Sequence, residues 1–180
     1  MKKILLSAAT ASVLGIAALA SSSAYAYDGQ ITVTGSVTAV TCTITLGGGA
    51  TGSASDIKVD LVAVSQAALK SGQRAGDKAF SMTVGGTGQT GCTNGGTASL
   101  SMDTTNVNAS GRIKNSGTAT GVEIEFADAG GTALDLTKQG PKVVIAGNTA
   151  VLNYVARYYA TANAGAGSVL GTVNYSIAYN

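Results

Sequence analysis

"GTVNYSIAYN", Gly171 to Asn180, closes the sequence. Val173, Tyr175, Ile177 and Tyr179 fall on every second residue, with Thr172, Asn174, Ser176 and Ala178 between them. That period of two belongs to a β-strand with one apolar and one mostly polar face. No later segment follows to pair with this strand, so its cover is expected from elsewhere in the chain or from another molecule.

The residues before it repeat the pattern. Gly29, Ile31, Val33, Gly35, Val37 and Ala39 alternate with Gln30, Thr32, Thr34, Ser36 and Thr38. A Gly/Ser-rich turn, "GGGATGSAS", is expected after Leu46. Short strands are expected at 57–64, 79–84, 98–102, 121–126, 142–146, 150–159 and 168–179, separated by Gly, Asn and Asp clusters. "SQAALKSGQRAG" predicts one helical turn, with Ser65 as cap and Gly72 as stop. Many short strands with turn signals between them predict an all-β sandwich in a single domain.

Met1-Lys2-Lys3 followed by the largely apolar stretch Ile4 to Ala20 and "SSSAYA" predicts a secretory signal peptide, 1–26, cleaved after Ala26. Lys2 and Lys3 account for the whole formal charge of +2. The remainder is then neutral, with no basic footprint for nucleic acid. In an exported chain, Cys42 and Cys92 are expected to form one disulfide, the alternative being two buried thiols. Such a bridge stabilises a domain by about 4 kcal/mol on the chain-entropy account.

Candidate chemistry is sparse. There is no histidine, which removes the commonest general base and leaves two separated cysteines as a poor metal site. "GTGQTG", Gly86 to Gly91, has the G-x-G-x-x-G spacing, but "CTNGGT" after it does not open the helix that would hold a pyrophosphate, so a flexible turn is expected. Glu123 and Glu125 stand at i and i+2 on a strand, roughly 6.5–7 Å apart, near the carboxylate spacing of inverting glycosidases. Val122, Ile124 and Phe126 supply the buried face of that strand, so both glutamates are expected in solvent, where neither becomes a general acid. The chain is expected to be no enzyme, with no cofactor and no small-molecule substrate.

Taken together, "DGQITVTGSVTAVTCTI" from Asp28, a single cysteine pair, "LVAVSQAALKSGQRAGDKAF" from Leu61, "YVARYYAT" from Tyr154 and the terminal strand resemble the pilin subunits of chaperone–usher fimbriae, type 1-like and of the shaft type. The terminal motif of that family ends in a penultimate aromatic, here Tyr179, with a glycine upstream, here Gly167. The resemblance implies an immunoglobulin-like sandwich lacking its final strand. It implies completion by a strand from a periplasmic chaperone, then by the N-terminal extension of a neighbouring copy. On that basis the extension is 27–35, with Gly29, Ile31 and Val33 as donor residues, and the pilin domain is 36–180. The acceptor groove and chaperone contact would take in Gly167, Val173, Tyr175, Ile177, Tyr179 and the Asn180 carboxylate. Implied partners are further copies of the chain, the chaperone, an outer-membrane usher and tip or minor pilins. The implied destination is a surface fimbrium reached through the periplasm. Two other readings remain open: a minor or adaptor pilin that binds a receptor, and a self-contained secreted β-sandwich that binds carbohydrate.

Overall fold

The structure is a computed structural model that describes residues 42–180. The expected signal peptide 1–26, the expected extension 27–35 and the candidate donor residues Gly29, Ile31 and Val33 lie outside the described residues. Among the described residues nine strands follow in chain order: β1 Ile44–Gly48, β2 Ala50–Ser53, β3 Asp56–Val59, β4 Arg74–Gly85, β5 Thr97–Met102, β6 Val122–Asp128, β7 Val143–Val144, β8 Thr149–Ala160 and β9 Tyr175–Tyr179. One sheet has the order β1-β4-β8-β6, a second has β7-β5-β9, and β2-β3 form a separate hairpin. Every pairing is antiparallel.

Alternation places the core. Along β8, Ala150, Leu152, Tyr154 and Ala156 are buried, and with Phe80, Met82 and Val84 of β4 and Ala98 and Leu100 of β5 they fill the space between the two larger sheets. Phe80 meets Phe126 edge to face, with ring centroids 5.3 Å apart, a favoured aromatic geometry. A second cluster of Val107, Ile113, Ile124 and Leu136 extends the core toward the segment that enters β9.

Several expected elements take another form. The Gly/Ser-rich stretch after Leu46 is no single turn: Gly47 and Gly48 belong to β1, and Ala50–Ser53 pairs with Asp56–Val59. The strand expected at 57–64 accordingly ends at Val59. The helical turn is present as a 3₁₀ turn, Gln66–Ala68, whose Ala67 N–H donates to the Ser65 hydroxyl. The last strand begins at Tyr175 rather than residue 168, because 168–172 bonds to the 106–119 loop instead of a straight partner. Ala119 N–H donates to the Ser168 carbonyl, Ser116 N–H to the Leu170 carbonyl and Leu170 N–H to the Asn115 side chain.

Cys42 and Cys92 form the expected disulfide, with Cα atoms 5.4 Å apart. The G-x-G-x-x-G stretch is a turn, and it is pinned: the Gln89 side-chain oxygen accepts from Thr43 N–H, while its amide donates to the Thr43 hydroxyl. Gly147 and Asn148, at φ 60° and 61°, make the tight reversal between β7 and β8 that requires two residues in the left-handed region.

The two faces of β8 differ in what they contribute. Leu152→Ala should lower the unfolding free energy by about 2–5 kcal/mol, since its side chain is 1% exposed in the core. Val151→Ala, on the opposite face and 42% exposed, should stay within about 0.5 kcal/mol in the same urea titration.

Candidate functional site

The hydrogen-bond register of β9 decides which of its groups are free. Thr97 and Asn180 exchange two bonds, 2.7 and 3.0 Å, and Asp103 N–H donates to the Asn174 carbonyl. In an antiparallel ladder, hydrogen-bonded and non-bonded pairs alternate. With Ser99 opposite Ala178 and Ser101 opposite Ser176, the even-numbered residues of the terminal segment face β5. Tyr175, Ile177 and Tyr179 therefore direct their N–H and C=O groups to the other edge. Among the described residues, no strand pairs there.

The side chains of the same three residues pack against the main core and stay half-buried. Val173 and Val169 continue the row against the second cluster. Gly171, between them, lies so close to Ile113 and Ile124 that a β-carbon would collide with both. Burial pushes up the pKa of the phenols of Tyr175 and Tyr179, so both act as neutral hydroxyls. The Tyr175 hydroxyl donates to the Ala54 carbonyl, tying β9 to the tip of the β2–β3 hairpin.

Upstream of β9 the terminal segment borders an open cleft of about 530 Å³. Leu61, Val64 and Leu69 line it from one part of the chain, and Ala164 to Val169 from another, with Val122 and Tyr158 beside them. Gly167 belongs to this lining, and its Cα packs against the backbone of Thr118 and Ala119, where a side chain would not fit. Of the expected groove residues, Val173, Tyr175, Ile177 and Tyr179 share one half-buried row, and Gly167 lies apart from them on the wall of this cleft. Val62 and Leu170, each next in sequence to lining residues, are 58% and 59% exposed. Asn180 is exposed, and its main chain is bonded to Thr97.

The glutamates need correcting. Glu125 is 1% exposed, buried on the outer face of its sheet. It accepts from Arg74 at 2.5 and 3.1 Å and from Arg157 at 2.9 and 2.7 Å. Arg157 also donates to the Gly131 carbonyl, so residues around Gly131 help cover what strand alternation alone would leave in water. Glu123 pairs with Arg112 at 2.8 Å and accepts from the Asn108 amide at 2.7 Å. The Tyr159 ring sits under both Arg112 and Arg74. Burial pushes the Glu125 pKa up, but the hydrogen bonds and charges of Arg74 and Arg157 outweigh it and hold the carboxyl below its ordinary value. A carboxylate held ionised by two guanidinium groups is a cross-strand tie, unsuited to donate a proton. Among the described residues there is no cluster of His, Cys, Asp and Glu that could hold a metal ion.

No family model matches the chain. It is 34% identical to the F17 fimbrial protein of Escherichia coli, across 93% of this chain and 96% of that one. It is also 34% identical to the major fimbrial subunit SMF-1 of Stenotrophomonas maltophilia (strain K279a), across 87% and 95%. Among solved structures it is similar to a chain from a chaperone–usher pilus studied for rod uncoiling, with TM-score 0.59, 21% identity and coverage of 86% and 96%. A second is the P pilus rod subunit PapA, with TM-score 0.58, 19% identity and coverage of 77% and 99%. At these identities the two structures establish the pilin-type, immunoglobulin-like fold.

Acid should act through Glu125. Its folded pKa is depressed, so its contribution to stability is full above the unfolded value of about 4.3 and is lost as pH falls through the folded one. Glu125→Gln, which leaves the buried Arg157 only the exposed Asp77, 3.6 Å away, as counter-charge, should cost roughly 3 kcal/mol at pH 7 in urea unfolding, the lower end of the range for breaking a buried pair. The difference from the unsubstituted protein should shrink when the titration is repeated near pH 3.

Proposed function

The chain belongs to the fimbrial subunit proteins and is a structural subunit of a pilus, and from that membership we propose that it is a pilin of the chaperone–usher type that polymerises by exchanging strands between copies. The observation that carries this reading is the free row of main-chain groups on Tyr175, Ile177 and Tyr179 beside half-buried apolar side chains. An edge of this kind pairs readily with any extended segment, so a stable subunit needs it occupied.

The occupant we assign is the extension 27–35 of a neighbouring copy, which follows the signal peptide 1–26 and precedes the pilin domain 36–180. Gly29, Ile31 and Val33 would face into the groove beside Val173, Tyr175, Ile177 and Tyr179, toward the cleft at Gly167. Burying Ile31 and Val33 contributes roughly 1.5–3 kcal/mol each, while main-chain bonds set the register. During passage through the periplasm a chaperone would supply the strand and hold the Asn180 carboxylate. An outer-membrane usher would then pass the subunit to the growing fibre, which ends in tip or minor pilins. Assembly and mechanical continuity, without catalysis, nucleic acid or a small-molecule substrate, are the activity we assign.

Surface material sheared from the native cells and run unheated on a denaturing gel should give a regular ladder that collapses to monomer on boiling in acid. A chain lacking Tyr27 to Thr34 should enter no ladder yet still bind a peptide of that sequence. Ile177→Asp, with unchanged circular dichroism, should shift the ladder's collapse to lower temperature. A single monomer band from unheated material would overturn strand exchange and favour the self-contained sugar-binding sandwich.

A further inference from the structure

The β2–β3 hairpin spans from one large sheet to the other and meets β9 at its first residue. It grows directly from the end of β1, where Gly49 N–H donates to the Ala79 carbonyl and closes the β1–β4 ladder. From Gly49 to Ala54 the chain advances five residues. At strand spacing that is roughly 16 Å, more than the roughly 10 Å between packed sheets. The tip thereby reaches the opposite sheet, and there the Tyr175 hydroxyl donates to the Ala54 carbonyl.

The two faces of the hairpin differ. Ala50, Ile57 and Val59 pack on the same core cluster as Tyr175, Ile177 and Tyr179, while Thr51, Gly52, Ser53, Asp56 and Lys58 are exposed. Polar side chains along it close on one another: the Ser53 and Ser55 hydroxyls share a hydrogen bond, and Lys58 pairs with Asp56. Neither strand is hydrogen-bonded into a larger sheet. Among the described residues, one side-chain hydroxyl therefore fastens the tip. That hydroxyl belongs to a residue midway along the terminal row, with Val169 and Val173 before it and Ile177 and Tyr179 after it.

This inference rests on the strand-exchange reading. A strand laid along that row from the edge of β9 toward the cleft at Gly167 must pass Tyr175, and its apolar side chains need the floor that Ile57 and Val59 already share. We propose that the β2–β3 hairpin is a strap over the acceptor edge, fastened by the Tyr175 hydroxyl, and that a donor strand enters when this fastening opens. While closed, the strap covers part of the apolar row and guards it against unintended pairing. Tyr175 is thus a positioning residue for exchange: its ring belongs to the floor, and its hydroxyl sets how often the strap lifts. A single hydrogen bond suits that task, because it opens locally at far less cost than unfolding the domain.

Two readouts on the full chain test this: the rate at which it takes up a labelled peptide of Tyr27 to Thr34, and amide hydrogen exchange followed by mass spectrometry. Tyr175→Phe keeps the ring and removes the donor. It should speed uptake about three- to tenfold, the share of one hydrogen bond, and raise exchange at 50–59 by a similar factor. Amides of β4 and β8 should stay as slow as before, whereas a loss of overall stability would speed them all. Gly52→Ala loosens the strap by a second route that leaves Tyr175 intact. Gly52 stands at φ 93°, and a β-carbon there would collide with the Asp56 carbonyl and distort the tip. It too should speed uptake, and because Gly52 is exposed and outside the core, it decides the matter should Tyr175→Phe not fold. Unchanged uptake in these variants, or faster uptake with 50–59 exchanging as before, would overturn the strap. No uptake by any chain, the unsubstituted one included, would overturn strand exchange itself and the strap with it.

Discussion

A β-strand carries two rows of main-chain hydrogen-bonding groups, and among the described residues only one row of β9 meets another strand. The rest of the structure is arranged around that imbalance. β5 holds the even-numbered residues of the terminal segment, fixing which groups face outward, and the core beneath fixes which side chains face in. A slip of one residue would reverse both, turning Tyr175, Ile177 and Tyr179 out of the core and presenting polar side chains to it. The edge is thus specific as well as open: its spacing, polarity and apolar floor are set before any partner arrives.

Holding that edge in place falls to elements far from it in sequence. The opposite sheet is tied across three strands by Glu125 between Arg74 of β4 and Arg157 of β8, with Tyr159 under the neighbouring guanidinium groups. Removing the Glu125 carboxylate and the Arg157 guanidinium from water is costly, and the carboxylate's four close contacts with Arg157 and the exposed Arg74 offset that cost. At the other end, Cys92, Asn94 and Asn148 join the loop before β5 to the reversal between β7 and β8. The Tyr175 hydroxyl adds one tie from β9 to the β2–β3 hairpin.

Much of this was legible as pattern. The terminal alternation identified the strand and its inner face, the cysteine pair identified the disulfide, and Ser65 marked the turn it caps. The glutamates show where pattern stops. Period two placed Glu125 correctly on the outer face of β6, but an outer face is wet only if nothing lies over it. Arg74, Arg157 and the residues around Gly131 come from other parts of the chain, and their convergence depends on a register that alternation does not contain. Gln89 was hidden for the same reason: its partner Thr43 is distant in sequence, and the glycines around it read as freedom, not attachment.

By itself the sequence determined the class of fold, the strand faces, the cysteine bridge and the kinship to fimbrial pilins, since each rests on local periodicity or on motifs carried by neighbouring residues. Tertiary structure alone decided which edge of β9 is left open, that the last strand is cut short at Tyr175, and that a carboxylate which reads as solvated is a buried tie. The physical reason is common to all three. Hydrogen-bond partners in a sheet and the cover over its faces come from residues distant in sequence, and a pattern within one strand carries no information about which of them arrives.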